Sequence, residues 1–205
     1  MSVLTSPLLA GLDWVEHGLG TRTSSLTQEE MASLKQIHSS TARVADRFTG
    51  CVGEGDALLT DQAGVAVSVR TADCYPILLA DPEHHAVAAI HAGWRGTAAG
   101  IVGQVIARMR KVYGTRASAL YAAIGPGIGG CCYEVGAEVA REFGMDRAGR
   151  LDLGAENRKQ LTAAGVGEAR IATVAGCTYC DAARFHSYRR EGERAGRMVS
   201  FIRPR

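Results

Sequence analysis

The sequence lacks long apolar runs and has no excess of charge of one sign. No stretch approaches the roughly 18 consecutive apolar residues that a membrane-spanning helix requires. The N-terminal segment has no basic region followed by an apolar core of signal-peptide length. With 23 basic and 21 acidic residues, the net charge of +2 provides no electrostatic basis for binding nucleic acid. These absences predict a cytoplasmic protein that binds neither membranes nor nucleic acids.

Histidine is also scarce, and this limits the metal chemistry that the chain can support. Only six histidines occur among 205 residues. A trinuclear copper cluster together with a blue-copper centre needs many more imidazoles, so multicopper oxidation is disfavoured as the main function. A single site that binds zinc, or copper in its place, remains open. The six cysteines of a cytoplasmic chain predict reduced thiols, metal ligands or a nucleophile rather than disulfides.

The apolar pattern predicts one domain over residues 1–205, of the α/β class with mixed sheets. Short strand-like runs and helical segments intermix without regular βαβ alternation, which favours mixed sheets covered by helices. The clearest helix is expected to be capped by Thr97 and to end before Gly114. Two apolar runs, 77–80 and 86–90, predict a β-hairpin whose turn is centred on Pro82-Glu83.

This predicted hairpin places Cys74 and His91 at the same end. With Pro82-Glu83 at the turn centre they are direct cross-strand neighbours, with Cβ atoms roughly 4.5–5.5 Å apart. Such a pair suits two ligands of one metal ion, a thiolate nucleophile with its base, or simply a buried thiol beside a histidine. His38, in Gln36-Ile37-His38, is a candidate third ligand. Three protein ligands would leave the fourth position of a zinc ion open to water or substrate.

Other polar residues suggest acid/base chemistry and anion binding near this pair. Asp73 precedes Cys74 and is the first candidate for a proton-transferring group. Phosphate requires cationic side chains or backbone N–H groups, which glycine-rich turns and helix starts present. The candidates for this role are Arg22, Arg95, Gly125, Gly127 and Arg189.

The remaining metal-like motif is Cys177-Thr178-Tyr179-Cys180, which has CxxC spacing. Structural zinc sites usually combine two such pairs. No second CxxC occurs in the chain, which argues against structural zinc at this motif.

Several segments together resemble the YfiH-like family, also called the laccase-domain or polyphenol-oxidase family and the peptidoglycan editing factor family. The most specific are Thr71-Ala72-Asp73-Cys74 and His91-Ala92-Gly93-Trp94-Arg95-Gly96. The other matching segments are Gly55-Asp56-Ala57-Leu58, Gly125-Pro126-Gly127-Ile128, Cys132-Tyr133-Glu134-Val135-Gly136, Leu151-Asp152-Leu153, Cys177-Thr178 and His186-Ser187-Tyr188-Arg189-Arg190.

The resemblance implies a four-layer α/β/β/α sandwich similar to the catalytic domain of cytotoxic necrotizing factors. It also implies a zinc-type site formed by His38, Cys74 and His91. Family members act on purine nucleosides, by phosphorolysis of adenosine, inosine and methylthioadenosine and by deamination of adenosine. The implied partners are therefore a purine nucleoside and phosphate, and the catalytic candidates are Asp73, Cys74, His91 and Arg95.

Three alternatives stay open. Copper in the same site would support phenol oxidation, as the laccase label suggests. A Cys74–His91 pair without metal would make an amide hydrolase that edits peptidoglycan precursors. The third alternative is a metal-binding module without turnover. The segment before His38 is shorter than is usual in the family, and the expected assembly is a monomer or a small homo-oligomer.

Overall fold

Two mixed β-sheets packed face to face form the centre of the structure. The computed structural model describes residues 3–45 and 49–205. The strands are β1 (Val15–Leu19), β2 (Ala32–Lys35), β3 (Ala42–Val44), β4 (Gly50–Glu54), β5 (Ala57–Thr60), β6 (Val67–Thr71), β7 (Tyr75–Asp81), β8 (Ala86–Ala92), β9 (Tyr121–Ile124), β10 (Glu134–Val135), β11 (Gly149–Arg150), β12 (Ile171–Thr173) and β13 (Met198–Pro204). The helices are α1 (Pro7–Ala10), α2 (Trp94–Ala98), α3 (Ile101–Tyr113), α4 (Ala137–Glu142), α5 (Leu153–Ala163) and α6 (Tyr188–Glu191).

Both large sheets mix parallel and antiparallel strands. The described residues form a five-stranded sheet in the order β1-β13-β6-β2-β4 and a six-stranded sheet in the order β12-β9-β7-β8-β5-β3. In the first sheet β13 pairs antiparallel with β1 and β6, whereas β2 pairs parallel with β4 and β6. In the second, β7 and β8 form an antiparallel hairpin and β12 runs parallel to β9. The predicted α/β class with mixed sheets is confirmed.

The hairpin strands β7 and β8 are buried along their whole length, which explains their nearly continuous apolar sequence. Leu78 and Ala89 belong to the core between the two sheets. Their neighbours Ile77 and Ile90 belong to a second core beneath the helices. Because side chains alternate across a strand, one hairpin therefore supplies both cores.

The helices α3 and α5 cover the outer face of the six-stranded sheet, through contacts with β8 and β9. Within the described ranges, no helix longer than one turn packs on the outer face of the five-stranded sheet. That face is contacted instead by Gln28 of an irregular segment, whose side chain donates a hydrogen bond to Ser68 Oγ at 3.1 Å. Of the four expected layers, the described residues therefore contain the two sheets and one helical layer.

The main helix begins later than its sequence predicts. Thr97 lies inside the short helix α2, where Asn157 donates a hydrogen bond to its hydroxyl at 3.1 Å. Gly100, with φ of +72°, then separates α2 from α3 and precedes the first residue of α3. Thr97 is therefore not the N-cap that the sequence suggested, whereas Gly114, with φ of +80°, ends the helix as predicted.

The hairpin register differs from the prediction by two residues. His91 pairs with Pro76, and the last pair is Asp81 with Ala86, so residues 82–85 form the connecting loop. The loop is longer than predicted because the buried carboxylate of Asp81 accepts a hydrogen bond from the backbone N–H of Glu83 at 2.9 Å. A shift of two residues keeps every side chain on its predicted face. Cys74 and His91 therefore still lie on one side of the hairpin.

Candidate active site and metal centre

His38, Cys74 and His91 meet at the open end of the β7–β8 hairpin. Each offers one ligand atom, and these three atoms lie within 4.8 Å of one another. The rings of the two histidines are nearly perpendicular, with centroids 4.9 Å apart. His91 is buried, Cys74 half-buried and His38 exposed, so the cluster opens toward solvent on the His38 side. His38 lies in the loop after β2 with a left-handed φ of +57°, far in the chain from the hairpin.

A buried carboxylate, Asp56, holds this cluster together. Its Oδ1 lies 2.8 Å from Nδ1 of His91. The same carboxylate accepts hydrogen bonds from the backbone N–H groups of His38 at 3.0 Å and Ser39 at 2.6 Å, and from the Ser39 hydroxyl at 2.7 Å. Asp56 therefore orients one histidine and positions the loop that carries the other. Asp56 is not among the predicted site residues, although an acidic residue directly before the apolar strand β5 is a sequence signal for such a role.

The cluster is strongly coupled electrostatically. Burial disfavours the Cys74 thiolate, but hydrogen bonds from His38 and His91 outweigh this and lower the pKa of Cys74 to about 6. Burial likewise disfavours the charged form of His91, yet Asp56 and Cys74 raise its pKa to about 9. For Asp56, burial opposes ionisation, while the hydrogen bonds from His91 and Ser39 lower its pKa to about 2. Without a metal ion, the site therefore favours a thiolate beside an imidazolium.

Gly93 gives the ligands room to approach each other. A Cβ atom at this position would lie 3.0 Å from Cys74 Sγ and 3.1 Å from Cδ2 of His38. Both distances are shorter than ordinary van der Waals contacts. Gly93 follows directly after β8, where the hairpin register would place it opposite Cys74. In the sequence this glycine is only one residue of the motif from His91 to Gly96, and nothing there predicts a function for it.

The cluster lies in the wall of a cavity of about 660 Å³. Its lining combines the three candidate ligands with cationic and aromatic side chains. The cations are Lys35, Arg70, Arg95, Arg189 and Arg197. The aromatic side chains are Trp94, Tyr133 and Tyr188. Burial raises the pKa of Tyr133 to about 12, so its hydroxyl stays protonated and can donate a hydrogen bond. Such a lining suits an anionic or phosphate-bearing ligand with a flat ring.

Three further predicted site residues, Asp73, Arg95 and Arg189, also line this cavity. Both carboxylate oxygens of Asp73 accept a hydrogen bond: Oδ1 from the Thr178 hydroxyl at 2.6 Å and Oδ2 from the backbone N–H of Arg189 at 2.7 Å. This placement favours a positioning role for Asp73 over proton transfer. The Arg95 guanidinium lies over the Trp94 ring at 4.5 Å, and no carboxylate of the described residues pairs with it.

The other three predicted phosphate contacts, Arg22, Gly125 and Gly127, are not among the residues that line this cavity. The N–H of Gly125 is occupied by the carbonyl of Pro76 at 2.8 Å. A Cβ on Gly127 would collide with the Tyr75 ring at 2.6 Å, so this glycine serves close packing. Arg22 forms an ion pair with Glu191 and donates to the Phe185 carbonyl at 3.1 Å. A backbone hydrogen bond, close packing and an ion pair are thus the contacts that these three residues make in the structure.

The remaining histidines do not extend the candidate centre. His17 accepts a hydrogen bond from the backbone of Ser6, His84 contacts Asp81, His85 stacks on Trp14, and His186 contacts Glu191. Among the described residues, His38, Cys74 and His91 form the only potential metal group with two histidines. In the part of the chain that the structure describes, this group offers candidate ligands for a single metal ion and does not supply the additional imidazoles that a multicopper cluster needs. No described helix is long and apolar enough to cross a membrane.

The mixed sheets and the His/Cys/His cluster in a cationic, aromatic cavity define the class: an α/β protein with a small-molecule site and a candidate metal centre. A family model described as multi-copper polyphenol oxidoreductase laccase matches residues 18–205. The chain belongs to this family, as its motifs indicated.

Relatives and solved structures support the same assignment. A purine nucleoside phosphorylase of Deinococcus radiodurans is 41% identical over 184 residues, which cover 85% of this chain and 70% of the relative. Adenosine deaminase RL5, from an unknown prokaryotic organism, is 36% identical over 197 residues, covering 85% of this chain and 75% of that protein. The crystal structure of YlmD from Geobacillus stearothermophilus superposes with a TM-score of 0.88 at 28% identity, covering 98% of this chain and 94% of that one.

Proposed function

We propose that this protein is a zinc-dependent purine nucleoside enzyme, which phosphorolyses adenosine, inosine and methylthioadenosine and deaminates adenosine. The observation that carries the proposal is the cavity in which a His/Cys/His cluster adjoins cationic and aromatic side chains. The names of the two relatives, a purine nucleoside phosphorylase and an adenosine deaminase, support the substrate class.

The donor set fits a zinc ion. Two imidazoles and one thiolate are ordinary zinc ligands, and three protein ligands are typical of catalytic sites. Because Asp56 holds Nδ1 of His91, Nε2 would be the nitrogen available to bind a metal ion, and metal-binding histidines commonly have a carboxylate on their other ring nitrogen. A zinc ion held by His38, Cys74 and His91 would supply Lewis-acid chemistry and lower the pKa of a bound water. Copper would use the same three ligands, with phenol oxidation as the expected consequence.

The cavity residues have distinct roles in this proposal. In phosphorolysis a phosphate oxygen forms a bond to the sugar carbon, the bond to the purine nitrogen breaks, and the electron pair stays on the purine. Arg95 and Arg189 would hold the phosphate, because both residues line the cavity and a guanidinium group pairs well with phosphate oxygens. Trp94 and Tyr133 would contact the purine ring. Asp73 would keep Arg189 and the Thr178 segment in place through its two short hydrogen bonds.

The test combines metal analysis with turnover on the protein purified without added metal. The expected result is about one zinc ion bound at this centre per chain. Release of free base only with phosphate present would identify phosphorolysis, and conversion of adenosine to inosine without phosphate would identify deamination. Cys74→Ser should remove this metal and both activities, whereas Cys51→Ser, at an exposed thiol of β4, should remove neither. Full purine turnover in the Cys74→Ser variant would contradict the proposal.

A second candidate follows from the Asp56–His91–Cys74 arrangement. A thiol beside an imidazole that is oriented by a buried carboxylate is also the geometry of a nucleophile, its base and an orienting acid. This arrangement favours an amide hydrolase, with a peptidoglycan precursor as substrate. Such an enzyme would be active without metal at the His38/Cys74/His91 centre, and it would lose its activity on alkylation of Cys74. The zinc enzyme would be active only with metal at this centre.

A further inference from the structure

Four of the six cysteines converge at a second place, outside the cavity lining. The Sγ atoms of Cys131, Cys132, Cys177 and Cys180 all lie within 4.8 Å of one another. Cys131 and Cys132 belong to the loop after β9, and the other two to the segment after β12. Because β9 and β12 are parallel neighbours, their carboxyl ends leave the sheet at the same edge. An isolated bridge between Gly127 and Cys177 continues this pairing toward the four thiols.

The sulfur positions suit a tetrahedral metal ion. The Sγ atom of Cys180 lies 3.2 Å from that of Cys132 and 3.7 Å from that of Cys131. Four thiolates about 2.3 Å from a tetrahedral zinc ion are separated from one another by about 3.8 Å. The cysteines are free thiols rather than disulfides.

The surroundings of the cluster resemble those of a structural metal ligand. The backbone N–H of Gly129 points at Cys177 Sγ, with the nitrogen 3.2 Å from the sulfur. Such an N–H group donates a hydrogen bond to a coordinating thiolate and stabilises its negative charge. From the sequence alone, structural zinc is not expected here, because the single CxxC motif has no second pair of cysteines with the same spacing. The adjacent residues Cys131-Cys132 supply that pair, through a strand pairing that the spacing of the cysteines does not reveal.

We propose that Cys131, Cys132, Cys177 and Cys180 form a second, structural metal site that binds zinc through four thiolates. Four protein ligands leave no open position, so this site would cross-link the chain rather than activate a substrate. It would join the loop after β9 to residues 174–187, which contain neither helix nor ladder strand.

This cross-link would support one wall of the cavity. Thr178 lies between two of the ligands and is buried, and its hydroxyl donates to Asp73 at 2.6 Å. On the other segment, Ile128 and Tyr133 flank the first cysteine pair and line the cavity. The site would therefore hold in register two irregular segments on which the cavity wall depends. The inference does not require the proposed function, because its primary readout is metal content.

The test isolates the second site in the full-length chain. In a variant in which His38→Ala, Cys74→Ser and His91→Ala remove the first centre, about one zinc ion per chain should remain. Adding Cys177→Ser and Cys180→Ser should eliminate it, whereas adding Cys51→Ser should leave it in place. Cobalt substituted into the triple variant should show the intense absorption of a tetrahedral thiolate complex. A triple variant that purifies folded but without metal, and that binds no cobalt, would overturn the proposal.

A measurement on the unaltered protein keeps the inference testable if these variants fold poorly. Alkylation followed by peptide mass mapping should label Cys51 at once. The four clustered thiols should be labelled only after a chelator is added, and in step with zinc release. Immediate labelling of all four, or the mass of a disulfide among them, would contradict a metal site.

Discussion

Two aspartate–histidine pairs lie at opposite ends of the β7–β8 hairpin and look alike at first sight. In each, an aspartate oxygen lies 2.8 Å from Nδ1 of the histidine. The carboxylates of Asp56 and Asp81 are both completely buried. The histidine side chains differ, because His91 is 4% exposed and His84 is 36% exposed.

The difference lies in what each pair serves. Asp56 orients His91 toward Cys74 and also binds the backbone of the loop that carries His38. Asp81 accepts a hydrogen bond from Glu83 and builds the hairpin loop, while its histidine faces solvent. The same short contact is therefore part of a site only where the second ring nitrogen meets another reactive group. Four substitutions, ordered from the largest expected effect to the smallest, test this comparison.

Asp56→Asn should have the largest effect. The substitution removes the charge that orients His91 and weakens the anchor of the His38 loop, so metal affinity should fall about 10–100-fold. The buried amide cannot accept all the hydrogen bonds that the Asp56 carboxylate accepts, and this loss should also lower the free energy of unfolding by about 1–3 kcal/mol. Competition with a chromophoric chelator and urea denaturation measure the two effects. Metal binding equal to that of the unaltered protein would show that Asp56 is only a structural residue.

Gly93→Ala should act on the ligands directly. The added Cβ would lie 3.0 Å from Cys74 Sγ and 3.1 Å from His38 Cδ2, so one ligand must shift. Because small misplacements are costly at catalytic sites, turnover of adenosine should fall about tenfold or more. The matched control is Gly103→Ala in α3, where the new Cβ meets open space and should stabilise the helix by about 0.5–1 kcal/mol. Equal effects of the two variants on turnover would refute a special role for Gly93.

Arg95→Ala tests whether the proposed phosphate site lies only at the cavity end of the hairpin. Loss of one charge-assisted contact, worth about 1.5–3 kcal/mol, should raise the KM for phosphate roughly tenfold or more while metal content stays constant. Its counterpart at the loop end is Arg116→Ala, which breaks an exposed ion pair with Glu83. Steady-state kinetics with varied phosphate should show no change for Arg116→Ala. A shift of KM in both variants would mean a general effect of surface charge.

Asp81→Asn should have the smallest effect. The amide oxygen can still accept the hydrogen bond from the Glu83 backbone, so only the contact with the partly exposed His84 is weakened. The free energy of unfolding should fall by no more than about 1 kcal/mol. Metal content and purine turnover should not change. A loss of metal comparable to that of Asp56→Asn would remove the distinction between the two pairs.

The sequence anticipated much of the hairpin and part of the site. The predicted turn places Cys74 and His91 on one side of the hairpin. This placement holds although the predicted register is wrong, because a two-residue shift keeps each side chain on the same face. His38 is singled out as a metal ligand by the resemblance to a family, since nothing in the sequence around it distinguishes it from the other histidines. The phosphate role of Gly125 and Gly127 stays a prediction, because a glycine-rich turn can serve packing or anion binding and the two glycines pack closely outside the cavity lining.

Local pattern by itself determined the apolar hairpin, the helix that ends before Gly114 and the proximity of Cys74 to His91. Tertiary structure alone decided that Asp56 reaches His91 across 35 positions and that Cys132 meets Cys180 across 48. The physical reason is that hydrophobic periodicity and turn chemistry act over a few residues. Pairing between distant strands, by contrast, depends on how the two sheets pack, and the spacing of the residues along the chain does not encode it.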